Sequence, residues 1–387
     1  MKARVVEFFA GCGGTSLGFA MANKEGVEFE VVGGVELDRH AAATFERNLG
    51  VPLHLGDVRD LADPDTLARV SKSWAGDGPL VLIGCAPCQG FSSHRKKDSR
   101  ADSRNDLLEA FAQVAIQLDP EVIVMENVPE MLSAQHWRHF LQWRSLIEAA
   151  GYTVKVAIHN LAEFGVPQER FRALVIAAKW RHFSMPKPLM GANQFRTVRD
   201  AIAHLPALSA GEADVEDPMH VTSRHRQSTV DLISLIPHDG GSRRSLPPGV
   251  GPKCWEGVDG FRDVYGRLWW DRPAVAITAR CRTPSCGRFA HPAQDRGLSV
   301  REAALLQGFP EDTQFEGPFD DKFKQIGNAV SPIFARAVAE HLAIEWSADH
   351  EDEARSAQHQ DPQLPLVKSF SSSIAGLKRA RQMSSAQ

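Results

Sequence analysis

Three short segments of this chain carry side chains that could act on a bound molecule. Cys88 lies in Gly84-Cys85-Ala86-Pro87-Cys88-Gln89-Gly90-Phe91-Ser92, directly behind the apolar run Leu80-Val81-Leu82-Ile83. Glu126, in Glu126-Asn127-Val128, closes a second apolar run. Gln168-Glu169-Arg170-Phe171-Arg172 opens a third. A thiol, a carboxylate and paired guanidinium groups can serve as nucleophile, acid and clamp for an anion or a carbonyl. Their positions at the ends of apolar runs matter, because open α/β sheets bind ligands at the carboxyl ends of their strands.

A fourth segment suggests a cofactor. Phe9-Ala10-Gly11-Cys12-Gly13-Gly14-Thr15-Ser16-Leu17-Gly18 follows a strand-like run and opens a helix-like one. Glycines there admit a ligand to the backbone, and a helix N-terminus favours negative charge. The dinucleotide pattern G-x-G-x-x-G needs glycine where this chain has Ser16, which argues against a nicotinamide or flavin cofactor. Glu36 ends a second strand-like run, where a carboxylate can accept from ribose hydroxyls. Asp57, in Leu55-Gly56-Asp57-Val58, could accept from an adenine amino group. Together these residues describe a nucleoside-bearing cofactor that needs no pyrophosphate.

The elements that must position these groups follow from the pattern of the chain. Strand-like runs cover Val5–Phe9, Phe29–Leu37, Leu80–Gly84, Glu121–Glu126, Val154–His159 and Ala173–Ala178. Helix-like stretches between them cover Asp38–Asn48, Asn105–Leu118 and Trp137–Ala150. Such alternation predicts an α/β fold with a doubly wound sheet. Residues 179–296 break the rhythm with Pro, Gly, Arg and short β-like runs, and read as a smaller, irregular, partly β domain. Helix signals return at Ser299–Gln307 and Pro332–Trp346. The expected division is therefore 1–178 plus 297–346 for the larger domain, 179–296 for the smaller one, and a tail over 347–387 without a fold of its own.

Composition bounds the rest. The six cysteines are too scattered for a disulfide framework, which fits a reducing cytoplasm. No apolar run approaches the roughly 20 residues of a membrane span, and the N-terminus has no leader-like segment. The net charge of −4 does not advertise a nucleic-acid binder, but charge is uneven. Met219–Phe289 holds eleven Lys or Arg against six Asp or Glu. Cys85-x-x-Cys88 could be a redox pair or half a zinc site. No second pair with suitable histidines accompanies it, so no metal is expected.

These motifs, in this order, resemble those of the DNA (cytosine-5) methyltransferases, which use S-adenosyl-L-methionine. The resemblance runs from Val5 to Ala343. It extends through Arg301-Glu302-Ala303-Ala304-Leu305-Leu306-Gln307-Gly308-Phe309-Pro310 and Gln325-Ile326-Gly327-Asn328-Ala329-Val330-Ser331-Pro332. Three departures are Cys85-Ala86, Leu37 and Ala329, where the family favours other residues. The resemblance implies a Rossmann-like methyltransferase sheet with a target-recognition domain inserted before the C-terminal motifs. It implies a cofactor pocket of Phe9, Gly11, Gly13, Gly14, Glu36, Leu37, Asp57, Val58, Pro87, Leu107, Asn328 and Val330. It also implies DNA contacts from Gln89, Ser92, Arg104, Gln168 and Thr278, the last near the target phosphate. Pro87–Arg104, with Arg95, Lys96, Lys97 and Arg100, corresponds to a loop that closes over a flipped base.

The implied chemistry explains the residue types. Carbon 5 of cytosine is a poor nucleophile until a thiolate adds at C6, the role that falls to Cys88. Glu126, protonated, would donate to N3 and accept from the exocyclic amine. Arg172 would hold O2, with Arg170 supporting that end of the pocket or the thiolate and Asn127 buttressing the turn. A duplex hides C6, so the base must be flipped out. The expected partner is double-stranded DNA, with a cognate restriction endonuclease acting separately. The protein is expected to be a monomer at the nucleoid, without membrane association. The alternatives are a transfer-RNA cytosine-5 methyltransferase, which the long basic 179–296 region opposes, and a non-catalytic DNA-binding regulator, which the joint presence of Cys88, Glu126 and Arg172 opposes.

Overall fold

The computed structural model describes residues 1–86, 106–133, 137–180, 182–255, 260, 263–347, 370 and 374. Its strands are β1 (Lys2–Phe8), β2 (Asn23–Lys24), β3 (Val27–Glu36), β4 (His54–Leu55), β5 (Leu80–Gly84), β6 (Val122–Asn127), β7 (Thr153–Asn160), β8 (Gln168–Glu169), β9 (Phe171–Ala178) and β10 (Ala274–Val275). Its α-helices are α1 (Gly14–Ala20), α2 (Arg39–Leu49), α3 (Pro64–Ser71), α4 (Asp106–Leu118), α5 (Trp137–Ala149), α6 (Val198–Ile202), α7 (Gln227–Ser234), α8 (Val300–Gln307), α9 (Phe319–Asn328) and α10 (Pro332–Ser347).

The main sheet runs β2-β3-β1-β5-β6-β9-β7, with β4 also paired to β3. Strands β4, β3, β1, β5 and β6 are mutually parallel. Strand β9 is antiparallel to both β6 and β7. Every residue of β6 is buried, as a strand covered on both faces requires. One face sends Val6, Phe8, Leu82, Met125 and Val175 into a core with Phe111 of α4 and Trp143 of α5. The other sends Val5, Ile83, Val124, Leu174 and Ile176 toward Phe19 of α1 and Phe334 of α10. This is the doubly wound arrangement expected from the alternation of strand and helix signals. Phe9, read from the sequence as the last residue of the first strand, instead turns out of it at φ 56° and starts the glycine loop.

Residues 179–296 form few regular elements. Strand β10 pairs in parallel with β8, Ala274 opposite Gln168 and Val275 opposite Glu169, in a two-stranded sheet apart from the main one. The apolar core of this region gathers Val198, Ile202, Met219, Leu268, Ile277, Cys281 and Phe289 with Leu298, Ala303, Leu306, Phe323 and Ile326. Helices α8 and α9 therefore supply much of the packing for the irregular segment before them. In the tail, Phe370 is buried in the first core and Ile374 packs against it.

With so little backbone ladder, the irregular region satisfies its carbonyls with arginines. Arg267 is fully buried and donates to the carbonyls of Ile233, Ile236, His291 and Gln294 while pairing with Asp295. Arg288 reaches the carbonyls of Gly240, Gly241 and Arg267 and pairs with Asp263. Arg296 forks onto Glu302 at 2.8 and 2.7 Å, both side chains buried, while Ser299 and Glu302 close a capping box at the start of α8. These arginines hold the fold together and are not available to a ligand.

Burial alone pushes the Glu302 carboxyl up; the charge and hydrogen bonds of Arg296, with His291, outweigh it and hold the group at about 2. The pair's stabilisation is thus complete above the ordinary value of 4.5 and is lost as pH falls toward 2. Arg296→Met, which strands a buried carboxylate, is expected to cost about 3–5 kcal/mol in urea unfolding, and Arg296→Met with Glu302→Leu considerably less.

Candidate active site

The glycine loop is shaped by left-handed backbone. Phe9, Gly11 and Gly13 have φ of 56°, 54° and 82°, which turns the chain sharply from β1 into α1. At Gly14 a Cβ would stand 2.2 Å from the Val330 carbonyl oxygen, so only glycine lets the segment after α9 lie against the loop. Gly11, by contrast, borders open space. Glu36 secures the other side: its carboxylate accepts from the backbone N–H groups of Gly11 (2.8 Å), Leu37 (2.9 Å) and Asp38 (2.8 Å). The Gly56 N–H bonds to the Glu36 carbonyl at 2.9 Å, which sets Asp57 beside it.

The structure therefore brings Gly11, Gly13, Gly14, Glu36, Asp57 and Val330 to the carboxyl ends of β1 and β3, as the sequence suggested. Leu37 is exposed there, Val58 is buried at the head of a short turn, and Asn328 is the last residue of α9. Leu107 is half-buried near the start of α4, and the Phe9 ring packs 6.1 Å from Phe111 of that helix. Asp57 is engaged by Arg59, whose N–H, Nε and Nη2 all donate to it; these hydrogen bonds hold its carboxyl below the usual range.

The second half of the site lies where β6 ends and β9 begins. Glu126 and Arg172 face the same side of the sheet, and antiparallel pairing of Glu126 with Leu174 brings the two side chains together. Arg172 Nε lies 2.8 Å from Glu126 Oε1, both side chains largely buried. The approach is a close ionic contact without the alignment of a hydrogen bond, because Oε1 has no aligned donor among the described residues. Arg172 Nη1 also donates to the Phe171 carbonyl at 2.7 Å. Asn127 Nδ2 donates to the Ala86 carbonyl at 3.1 Å, and Val128 N–H donates to Asn127 Oδ1 at 2.8 Å. Asn127 thus ties the exit of β5 to the end of β6, beside Glu126. Pro87, Cys88, Gln89, Ser92 and Arg104, with the remaining basic residues of that loop, lie outside the described residues.

Arg170 sits apart from Glu126. It is buried, and its guanidinium donates to the Ile277 carbonyl (2.5 Å) and the Gly327 carbonyl (3.1 Å). Gln168 requires a correction. A DNA contact was expected of it, but it is fully buried: Nε2 donates to the Leu306 carbonyl and Gln307 Oε1, and Oε1 accepts from Ile277 N–H. Its amide is consumed inside the protein. Thr278 is exposed, followed by exposed Arg280. Arg224 and Arg226 are exposed on a neighbouring strip: His225, between them, accepts from Gly297 N–H, and a Cβ on Gly297 would lie 2.9 Å from the Arg282 carbonyl. Trp269 is half-buried, its ring stacked by Arg288 at 4.0 Å and Arg272 at 5.1 Å.

Two acids bracket the thiol of Cys85. Burial pushes that thiol well above its ordinary value, and the charges of Glu126 and Glu7 add to the shift. Burial likewise pushes Cys281 up to about 12 and Cys12 higher still. Glu7 escaped the sequence reading. It lies in β1, buried, with Oε2 accepting from Ser16 N–H (3.0 Å) and Ser16 Oγ (2.5 Å). A glutamate inside Val5-Val6-Glu7-Phe8-Phe9, in a strand covered on both faces, was the signal available. Among the described residues no helix is long and apolar enough to cross a membrane.

The sequence profile of the C-5 cytosine-specific DNA methylases matches residues 3–343. The Type II methylase M.HgiDII of Herpetosiphon aurantiacus is 33% identical over 349 residues, covering 88% of this chain and 95% of that protein. The Type II methyltransferase M1.HphI of Haemophilus parahaemolyticus is 33% identical over 346 residues, covering 88% and 86%. Among solved structures, a chain described as a DNA modification methyltransferase encoded within an E. coli prophage superposes with a TM-score of 0.68. It is 24% identical and covers 89% of this chain and all of that one. The Dnmt2 methyltransferase of S. pombe shares the fold at a TM-score of 0.56 and 15% identity, covering 88% of this chain and 97% of its own.

Glu7 yields a prediction. Burial raises its carboxyl from 4.5 to about 7, against the hydrogen bonds from Ser16 and Thr15. Between those values the folded protein keeps a proton that the unfolded chain releases, so stability falls as pH rises, by up to about 1.4 kcal/mol per pH unit. Glu7→Gln should flatten this slope in denaturant titrations run from pH 4.5 to 7.

Proposed function

The chain belongs to the C-5 cytosine-specific DNA methylases, a DNA methyltransferase family, and on that footing we propose that Cys88, Glu126 and Arg172 form its reaction centre. The observation that carries this is the buried Glu126–Arg172 contact at the end of β6, with Asn127 holding Ala86 beside it. Cys88 thus follows by two residues the Ala86 carbonyl, which is held by the side chain of Asn127, the neighbour of Glu126 in β6. Glu126 Oε1 is a buried acceptor with no aligned donor among the described residues, which the exocyclic amine of a cytosine would satisfy. Cys85 is a poor rival nucleophile, since burial and two neighbouring acids keep its thiol neutral.

In the proposed reaction the Cys88 thiolate forms a bond to C6, and the electron pair of the C5–C6 double bond makes C5 nucleophilic. Glu126, which faces Arg172 as a carboxylate in the free protein, takes up a proton and donates it to N3 as charge develops there, while Arg172 holds O2. Once C5 is methylated, a base removes its remaining proton, the double bond re-forms and the Cys88–C6 bond breaks, releasing the thiolate.

The methyl donor of the reading is S-adenosyl-L-methionine, which supplies an electrophilic methyl group when bound. The loop residues suit such a group. Gly11 borders open space, the close approach of Gly14 to Val330 completes a cradle, and Glu36 is preset by three backbone N–H groups with acceptor capacity left for a ribose hydroxyl. Phe9, Gly13, Asp57 and Val58 would line the remainder, with Leu37, Leu107 and Asn328 at its margins.

DNA contact is assigned to Thr278 with Arg280, Arg224 and Arg226. Those three arginines are exposed and have no ion-pair partner among the described residues, whereas Arg267 and Arg288 are consumed by carbonyls. The names of the relatives support a modification role in a Type II restriction–modification system.

Bisulfite sequencing of plasmid DNA from cells making the wild type should show protected cytosines in one short motif. Cys88→Ala should abolish protection; protection in the variant would overturn the covalent mechanism. Arg280→Ala should weaken DNA binding about equally across sequences and lower the slope of log affinity against log salt by about 1. An unchanged slope would remove Arg280 from the interface.

A further inference from the structure

Three buried side chains, Gln168, Arg170 and Gln307, join two backbone turns that belong to different halves of the site. The first turn is Ile277–Thr278–Ala279. Its Ile277 is clamped at both polar atoms: the N–H donates to Gln168 Oε1 at 3.0 Å and the carbonyl accepts from Arg170 Nη1 at 2.5 Å. The second is Gly327–Asn328–Ala329–Val330. Arg170 Nη2 donates to the Gly327 carbonyl at 3.1 Å, and Gln307 Nε2 donates to the Ala329 carbonyl at 2.6 Å. The two amides close the circuit, Gln168 Nε2 donating to Gln307 Oε1 at 2.6 Å.

The turns also touch directly. A Cβ on Gly327 would lie 2.1 Å from both the Thr278 carbonyl carbon and the Ala279 nitrogen. No cushion of side chain separates them, so a shift of one turn must be met by the other. The second turn ends on the Val330 carbonyl, which sits against Gly14 of the cofactor loop. A continuous path therefore runs from Thr278 through Gly327 and Ala329 to Gly14, every link being a hydrogen bond or a backbone contact.

We propose that Gln307 is a positioning residue that couples DNA binding at the Thr278 turn to cofactor binding at the Gly14 loop. The inference rests on the methyltransferase reading of those two ends. Its physical basis is shared order. A phosphate held at Thr278 immobilises the first turn, the Gln168–Gln307 pair transmits that constraint to Ala329, and the cofactor then meets a loop already fixed by Val330. The coupling is reciprocal, so a cofactor-site ligand tightens DNA binding by the same factor.

The test uses the full chain, S-adenosyl-L-homocysteine as the cofactor-site probe and a duplex carrying the motif mapped by bisulfite sequencing. Affinity for each is measured alone and with the other saturating. In the wild type each ligand should tighten the other by at least about fivefold. Gln307→Glu keeps the side chain's size and its acceptance from Gln168, but sets an oxygen against the Ala329 carbonyl. It should still bind each ligand alone while the mutual enhancement falls toward unity. Persistence of the full enhancement in that variant would overturn the proposal. Should its thermal melt show that it does not fold, Gln307→Met, which removes the donor without adding charge, is read in the same way. If neither variant folds, Gln307 serves stability alone and the proposal fails. A wild type that binds neither ligand would overturn the methyltransferase reading itself, a result distinct from binding without enhancement.

Discussion

The antiparallel insertion of β9 beside β6 is the constraint on which the site depends. In a parallel pair, Arg172 at the start of its strand would lie level with the start of β6, several residues and about 3.3 Å per residue away from Glu126. Reversal of β9 sets the beginning of one strand against the end of the other, and the two charged side chains meet at the rim where parallel sheets bind ligands. The same reversal fixes what lies just upstream. Residues 168–172 run outward from the sheet, so that Gln168 reaches α8, Arg170 reaches Ile277 and Gly327, and Arg172 reaches Glu126. Three alternate residues of one short segment thereby touch the irregular region, the segment that closes the cofactor loop and the carboxylate.

That arrangement explains why the irregular region can be so poor in secondary structure. Its position is set by the β8–β10 pairing and the clamp on Ile277, and its interior by α8 and α9. Backbone carbonyls left without a ladder still need donors, and the guanidinium fork offers several from one buried side chain. Arg267 alone reaches four carbonyls. A high arginine count here is therefore partly the cost of an irregular fold. What remains for a polyanion is the smaller set at Arg224, Arg226 and Arg280, which is compatible with a negative net charge for the whole chain.

The sheet was legible in the sequence because strands covered on both faces are near-continuous apolar runs, as at Leu80–Gly84 and Ala173–Ala178. The acid and the guanidinium were legible because they interrupt such runs at their ends. Gln168 was not, because an amide's partners are set by tertiary approach: nothing in its own segment announces Leu306, Gln307 or Ile277, more than a hundred residues away. Arg267 and Arg288 were misleading for a related reason. Composition registers charge but not burial, and a region without periodicity offers no face on which to sort its arginines.

The two cysteines of Cys85-x-x-Cys88 also separate on physical grounds. A redox pair works by attack of a thiolate on a disulfide, so both members must be able to ionise or leave as thiolates. Cys85 is held among buried groups, with its Sγ 3.9 Å from Thr15 Oγ1 and the charges of Glu126 and Glu7 opposing its ionisation. Glu126 is the acid that meets Arg172, and Glu7 holds Ser16 behind the glycine loop. An environment that holds one acid beside Arg172 and another beneath the glycine loop is thus hostile to a thiolate between them. The same placement that sets Glu126 against Arg172 opposes ionisation of the Cys85 thiol.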